Sequence, residues 1–363
     1  MRARFDRVRA ALDEAPFDAL VLIPGPSGRY VSGVALHHSE RLNLLVIPRA
    51  GRPAALAPTL EAPALEGLDV ALYTWRDEEG PDRALRALLR DLRLEDSRLG
   101  VESGEMRFGE AERLRSVAPR AHLVPADALL AALRVIKDDA EIAAMRQAIV
   151  ITERALAATI ASLRAGQTEA EVAAELQVQL LRAGSQANAF SPLVVSGARS
   201  ANPHFGPSSK RLEPGDVVIL DCGAVWDGYA GDITRCVALE PVPDEIVAIY
   251  DLCRAANAAG RATVAPGVPC EAVDAAARAI IERGGYGPRF IHRTGHGLGL
   301  EGHEPPYLVA GSSEPLEAGM VCTVEPGIYI PGLGGVRVED DVLVTAGGRE
   351  SLTTFPRDLT RIE

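Results

Sequence analysis

DVVILDCGAVWDGYAGDITRCVALE, residues 216–240, organises the reading of the whole chain. Two apolar runs flank Asp227-Gly228, and Asp-Gly is a strong two-residue hairpin signal because both turn positions need positive φ. With those two residues as the loop, Trp226 faces Tyr229, Gly223 faces Asp232 and Asp221 faces Thr234. Asp221 and Asp232 then become diagonal neighbours on one face, roughly 7–8 Å apart at the backbone. Gly223, opposite Asp232, leaves room beside it. The run 217–220 is wholly apolar and reads as a buried strand, so carboxylates at its end need a partner or a cation. The competing reading has Asp221 capping the strand and Asp232 paired with Arg235.

Further candidates lie downstream. Four of the seven histidines (204, 292, 296 and 303) fall within a hundred-residue window. His292-Arg293-Thr294-Gly295-His296 has the i,i+4 spacing of a helical zinc site, but its glycines disfavour a helix. In an extended segment, positions 292, 294 and 296 share a face. GLGLEG (297–302) matches a dinucleotide-binding pattern, yet His303-Glu304-Pro305-Pro306 follows where a helix should start. Its glycines are therefore expected to let backbone approach a metal or substrate. Glu325 ends the apolar strand MVCTVE (320–325). In VRVEDDVLV (336–344), strand alternation places Arg337, Glu339 and Asp341 on one face. Asp221, Asp232, His296, Glu325 and Glu339 together supply four carboxylates and one imidazole. That donor set suits two divalent ions: manganese, with cobalt or zinc as alternatives. Two such ions hold a bridging hydroxide and polarise a carbonyl, which is hydrolytic chemistry.

Composition bounds the function. At 363 residues the chain has room for two domains. An apolar fraction of 47% with 24% charged residues is that of an ordinary globular protein. The net charge of −12 argues against nucleic acid and an anionic membrane surface as partners. The basic N-terminus lacks the apolar core of a signal peptide, and no run reaches the ~20 apolar residues of a membrane span. The five cysteines are odd in number and form no C-x-x-C, which favours reduced thiols in a cytoplasm.

In chain order, residues 1–132 read as a small α/β domain. Helices are expected over 2–12, 81–92 and 107–116, with strands over 19–23, 42–47, 99–102 and 122–125. His37 and His38 read as loop residues. Residues 129–137 read as the crossover to a second domain, 133–363. There Asp138 with Glu141, and Thr168 with Glu171, mark two helix starts. A strand at 190–196, a loop at 197–210 and the hairpin follow. Helices at 243–260 and 269–284, bounded by Pro and Gly, precede strands at 290–296, 320–325 and 336–345. Helix pair, strands, helix pair, strands describes two αα-plus-ββ halves.

At these residues the sequence resembles the pita-bread metallopeptidases, and among them the Xaa-Pro peptidases, prolidase and aminopeptidase P. The family's five ligands appear in order: Asp221 in DCGA, Asp232 in GDITR, His296 in TGHGLG, Glu325 in TVEPGIY and Glu339 in VRVEDD. The first half resembles the family's creatinase-type N-terminal domain through weaker motifs. The resemblance implies an α/β creatinase-like domain followed by an α+β pita-bread catalytic domain. By it, Asp232 and Glu339 bridge both metals, Asp221 completes the first site, and His296 and Glu325 complete the second. Glu325 shuttles the proton of the attacking hydroxide. His204 and His303 are the substrate histidines, with His303 stabilising the tetrahedral intermediate. His292, Tyr329 and Arg337 form an outer shell, and Phe190 falls at an apolar pocket position.

The implied reaction is hydrolysis of the peptide bond before proline, a tertiary amide with no N–H and a rigid ring. One departure bears on the substrate. Several dipeptide-cleaving prolidases carry Arg a few residues after the HE dipeptide, where it meets the proline carboxylate; here that place holds Tyr307. Either another arginine takes the role or longer peptides are accepted. The resemblance implies an Xaa-Pro dipeptidase, with aminopeptidase P acting on longer peptides as the alternative, and a homodimer. A creatinase-like amidinohydrolase and a catalytically silent binding module are competing readings, both opposed by the intact ligand set.

Overall fold

The computed structural model describes residues 2–363, so Met1, the first residue of the expected N-terminal domain, lies outside it. The chain divides into two compact units, Met1–Arg134 and Val135–Glu363. No helix among the described residues is long and apolar enough to cross a membrane.

The first unit is built on a six-stranded mixed sheet. Its order is Ala71–Trp75, Ala54–Pro58, Leu44–Pro48, Ala19–Leu22, Arg98–Val101, His122–Pro125. Helix Asp82–Asp91 buries Leu85, Leu88 and Leu89, one stripe at helical spacing, in a core with Val21, Val46, Leu56 and Leu99. Two strands and one helix were not expected from sequence. Ala54–Pro58 is AALAP, with no β-branched residue and a proline. Ala71–Trp75 alternates weakly, and Pro26–Ser32 is a short helix opened by proline. His37 and His38 are outside helices and strands, as expected, and His38 Nε2 lies 2.7 Å from Glu110.

In the second unit two helix pairs alternate with strands. The capping boxes expected at Asp138 and Thr168 are formed, and they start helices Asp139–Ser162 and Glu169–Arg182. The expected crossover at 129–137 contains the boundary between the two units and is largely helical, Asp127–Val135. Helices Asp244–Thr263 and Cys270–Arg283 form the second pair. Gly260 lies inside the former rather than at its end.

A four-stranded sheet runs Thr360–Ile362, Ile233–Leu239, Val217–Cys222, Leu193–Ser196, and a five-stranded sheet runs Glu304–Leu308, Gly295–Gly297, Val321–Val324, Asp340–Thr345, Gly348–Ser351. Val218 and Leu220 join a core with Ile149, Leu156 and Leu176 of the first helix pair, while Val217 and Ile219 join one with Ile249, Cys253 and Ile281 of the second. Both faces of that sheet are covered, so the run 217–220 is continuously apolar rather than alternating.

Two expected strands differ. Only Gly295–Gly297 of the 290–296 segment pairs as a strand. The carbonyls of Phe290 and His292 accept from the Arg278 guanidinium, not from a neighbouring strand. Residues 336–345 form two strands, Gly334–Arg337 and Asp340–Thr345. Between them the Glu339 N–H donates to the Thr234 carbonyl, and the Glu339 carbonyl accepts from Arg235. Both bonds cross to the hairpin strand, so Glu339 sits at the junction of the two sheets.

Candidate active site

The hairpin has the register expected from its turn. Tyr229 pairs with Trp226, Ile233 with Cys222 and Thr234 with Asp221. Asp227 and Gly228 take φ of 47° and 80°, the left-handed pair of a type I′ turn. Arg235 pairs with Asp340 instead of Asp232, which removes the structural alternative for Asp232.

The five expected ligands converge. Oxygen atoms of Asp221, Asp232 and Glu339 lie within 4.8 Å of one another, as do ligand atoms of His296, Glu325 and Glu339, so Glu339 belongs to both groups. A third such group is Asp232, His296 and His303. His296 Nδ1 is 3.0 Å from the Gly297 carbonyl, an acceptor only, so the ring proton sits on Nδ1. The bare Nε2 then faces Glu325 Oε1 at 3.2 Å and Asp232 Oδ2 at 4.0 Å. A lone pair aimed at two carboxylates is the arrangement a cation resolves.

The electrostatics agree. Asp232 and Glu339 are almost fully buried, and Asp232 Oδ1 and Asp221 Oδ1 have no hydrogen-bond partner. Burial, then the neighbouring charges of Glu339 and Asp221, push Asp232 well above the usual carboxylate range. Burial, then Glu325 and Asp221, do the same to Glu339. Burial raises Asp221 against the opposing Arg337 charge. Burial also works to raise Glu325, but the facing His296 ring in its protonated form, with His292 and Arg337, holds it at about 2; a cation on the bare Nε2 would take the place of that charge. Four crowded carboxylates with orphaned oxygens fit divalent cations.

Outer groups hold this arrangement. Arg337 donates to Asp221, to Thr234 Oγ1 at 3.1 Å and to the Tyr329 hydroxyl at 3.0 Å. Tyr329 lies 3.0 Å from His292 Nε2, and His292 Nδ1 lies 2.7 Å from the Arg293 carbonyl. Arginine only donates and a carbonyl only accepts, so the chain runs Arg337 to Tyr329 to His292 to the Arg293 carbonyl. Behind the site, Lys137 Nζ meets Glu304 Oε1 at 2.6 Å with both side chains buried. Of the glycines at 297, 299 and 302, Gly302 lines the cavity described below, whereas Gly297, like Gly295 before it, is pressed against a neighbouring strand. A Cβ at Gly295 would fall 1.9 Å from the Thr323 carbonyl oxygen, and one at Gly297 2.1 Å from that of Pro305. Their role is to let neighbouring strands approach.

These five candidate ligands open into a cavity of about 610 Å³. Phe190, His204, His292, His303 and Arg337 line it. Tyr329 is buried behind its wall. Tyr307 is not among the lining residues; its ring lies under the Arg293 guanidinium, 4.6 Å from the centroid. Arg293, given no role from sequence, lines the cavity with its Nη2 3.4 Å from His303 Nδ1. Burial, with the charges of His296 and Arg293, lowers His303 to about 4.

The model of metallopeptidase family M24 matches residues 143–346. The chain belongs to this family. The creatinase/prolidase N-terminal domain model matches residues 4–136, so this M24 metallopeptidase carries a creatinase-type domain before its pita-bread catalytic domain. It is similar to the putative dipeptidase YkvY of Bacillus subtilis, 36% identical over 98% of this chain and 99% of the relative. It is 32% identical to an Xaa-Pro dipeptidase of Pyrococcus horikoshii over 99% of both chains. The crystal structure of recombinant prolidase from Thermococcus sibiricus superposes with a TM-score of 0.95 at 35% identity, covering 99% of this chain and 98% of that one.

Two further residues of the metallopeptidase site were missed. Asp341, read only as sharing a face with Glu339, accepts the Asp232 N–H. Thr234, read as the partner of Asp221, also donates to Glu339. The signal for both was the pairing register.

Proposed function

We propose that this metallopeptidase is an Xaa-Pro dipeptidase, hydrolysing the bond before proline in a site for two divalent cations. The observation that carries the reading is the convergence of Asp221, Asp232, His296, Glu325 and Glu339 on one cavity, in a chain whose relatives include Xaa-Pro dipeptidases. Asp232 and Glu339 would be shared by the two cations, with Asp221 completing one site and His296 and Glu325 the other. The oxygen-rich set with a single imidazole suits manganese, with cobalt or zinc as alternatives. When bound, such a pair supplies Lewis acidity and lowers the pKa of a water.

The side chains supply the rest. Glu325 takes the proton of the attacking water and returns it to the proline nitrogen as the C–N bond breaks. His303 is neutral near pH 7, and its Nδ1 faces a donor-only guanidinium, so Nε2 carries the proton. It donates that N–H to the oxygen of the tetrahedral intermediate. His204 contacts the substrate, and Phe190 offers an apolar wall for the proline ring. His292, Tyr329 and Arg337 hold Asp221 and the cavity wall in place. Tyr307 acts through Arg293. The substrates are Xaa-Pro dipeptides or short proline-containing peptides, the enzyme works in the cytoplasm with reduced thiols, and it assembles as a homodimer.

A second reading, an aminopeptidase P that cleaves longer Xaa-Pro peptides, is favoured by the neutral Tyr307. A manganese-supplemented assay on an Xaa-Pro dipeptide and an Xaa-Pro-Xaa tripeptide, with a chelator control, separates the two. Chelator-sensitive cleavage of the dipeptide alone is the expected result. Preference for the tripeptide makes the enzyme an aminopeptidase P, and cleavage of neither contradicts both.

A further inference from the structure

We infer that Arg293 is the dipeptide selector, receiving the C-terminal carboxylate of the substrate; this rests on the Xaa-Pro reading and deepens it. Two arginines line the cavity, Arg293 and Arg337. The Arg337 guanidinium is committed to Asp221, Thr234 and Tyr329. Arg293 forms no ion pair with a carboxylate among the described residues, although the chain carries twelve more acidic than basic side chains. It is a cation held over the cavity without its anion.

Its position fits the length of the substrate. In a dipeptide the carboxylate lies one residue beyond the scissile carbonyl, about 3.3–3.6 Å along an extended chain. The group that binds the carboxylate must therefore neighbour the group that binds the reacting oxygen. Arg293 Nη2 lies 3.4 Å from His303, and the His303 ring lies 3.9 Å from that of His296. The His303 ring thus touches both the proposed ligand histidine and the guanidinium.

The guanidinium is also oriented before substrate arrives. The Arg293 guanidinium carbon sits 4.6 Å from the Tyr307 ring centroid, a cation–π contact, and the Arg293 carbonyl accepts from His292 Nδ1. A planar fork held on a ring presents paired N–H groups for bidentate capture of a carboxylate. In a tripeptide the same place holds a neutral amide, which leaves the cation unpaired. Tyr307 thus supports a carboxylate-binding arginine delivered from the neighbouring segment.

The test compares Xaa-Pro with Xaa-prolinamide on the manganese-supplemented enzyme, in wild type, Arg293→Gln and Arg293→Lys. Wild type is expected to prefer the free acid in kcat/KM by roughly 10- to 100-fold. In Arg293→Gln that ratio should fall to about one, mainly through KM for the acid, with Arg293→Lys between the two. Equal loss on acid and amide would overturn the assignment, because Arg293 would then act only through His303. Retained acid preference in Arg293→Gln would also overturn it.

Calorimetric binding of proline against prolinamide separates this inference from the reading it rests on. If no Xaa-Pro substrate is cleaved but proline binds more tightly than prolinamide only when Arg293 is present, the subsite stands and the dipeptidase reading fails. If Xaa-Pro is cleaved with no acid preference in wild type, the dipeptidase reading stands and the subsite fails.

Discussion

The Asp341 carboxylate accepts the backbone N–H of Asp232 at 3.0 Å. Asp341 is fully buried and lies on the strand that follows Glu339, so it joins the two sheets directly behind the proposed bridging ligands. Removing it frees the hairpin at the residue that must hold its position best. Asp341→Ala is expected to lower metal affinity roughly 10- to 100-fold while the fold persists. Metal titration monitored by calorimetry, with circular dichroism as the fold control, measures this; unchanged affinity would assign Asp341 to packing alone.

Tyr329 links Arg337 to His292 through its hydroxyl, at 3.0 Å on either side. Tyr329→Phe keeps the ring and leaves the buried Arg337 and the half-buried His292 without that partner. The expected cost is about 1–3 kcal/mol of stability, read as a lower urea midpoint at unchanged slope. A shift near zero would mean that the two groups find new partners.

All five cysteines are buried and free. Burial raises Cys236 and Cys270 to about 11 and Cys322 to about 12, and drives Cys222 and Cys253 well above the ordinary thiol value. The thiolate is the reactive form, so a thiol reagent at pH 8 should label none in the native protein within minutes and five per chain once denaturant is added. Rapid native labelling would place at least one thiol at an opening segment.

The ligand set was legible because it rests on local signals. Asp227-Gly228 fixes the hairpin register by turn chemistry, and the register fixes the offset between Asp221 and Asp232. The helices of the second unit were legible from their capping boxes and from Pro near the start. Where partners are distant in sequence, the reading weakened. Glu339 faces the site through a break held by Thr234 and Arg235, about a hundred positions away, and alternation reaches the same face without showing the break. The 290–294 segment carries apolar and extended-type residues, yet its carbonyls are claimed by Arg278. Strand Ala54–Pro58 is specified by its neighbours, not by its own propensity. Arg293 was invisible as a substrate group because its context is spatial: a ring from Tyr307 below it and His303 beside it.

On the proposed function, five side chains hold two divalent cations. The most direct measurement is the metal content of the protein dialysed against excess manganese and then against buffer, for wild type and Asp232→Asn. Two ions per chain in wild type and fewer than one in Asp232→Asn is the predicted result, since the variant removes a shared ligand. Metal content near zero in wild type, or an Asp232→Asn protein that keeps both ions, would contradict the account.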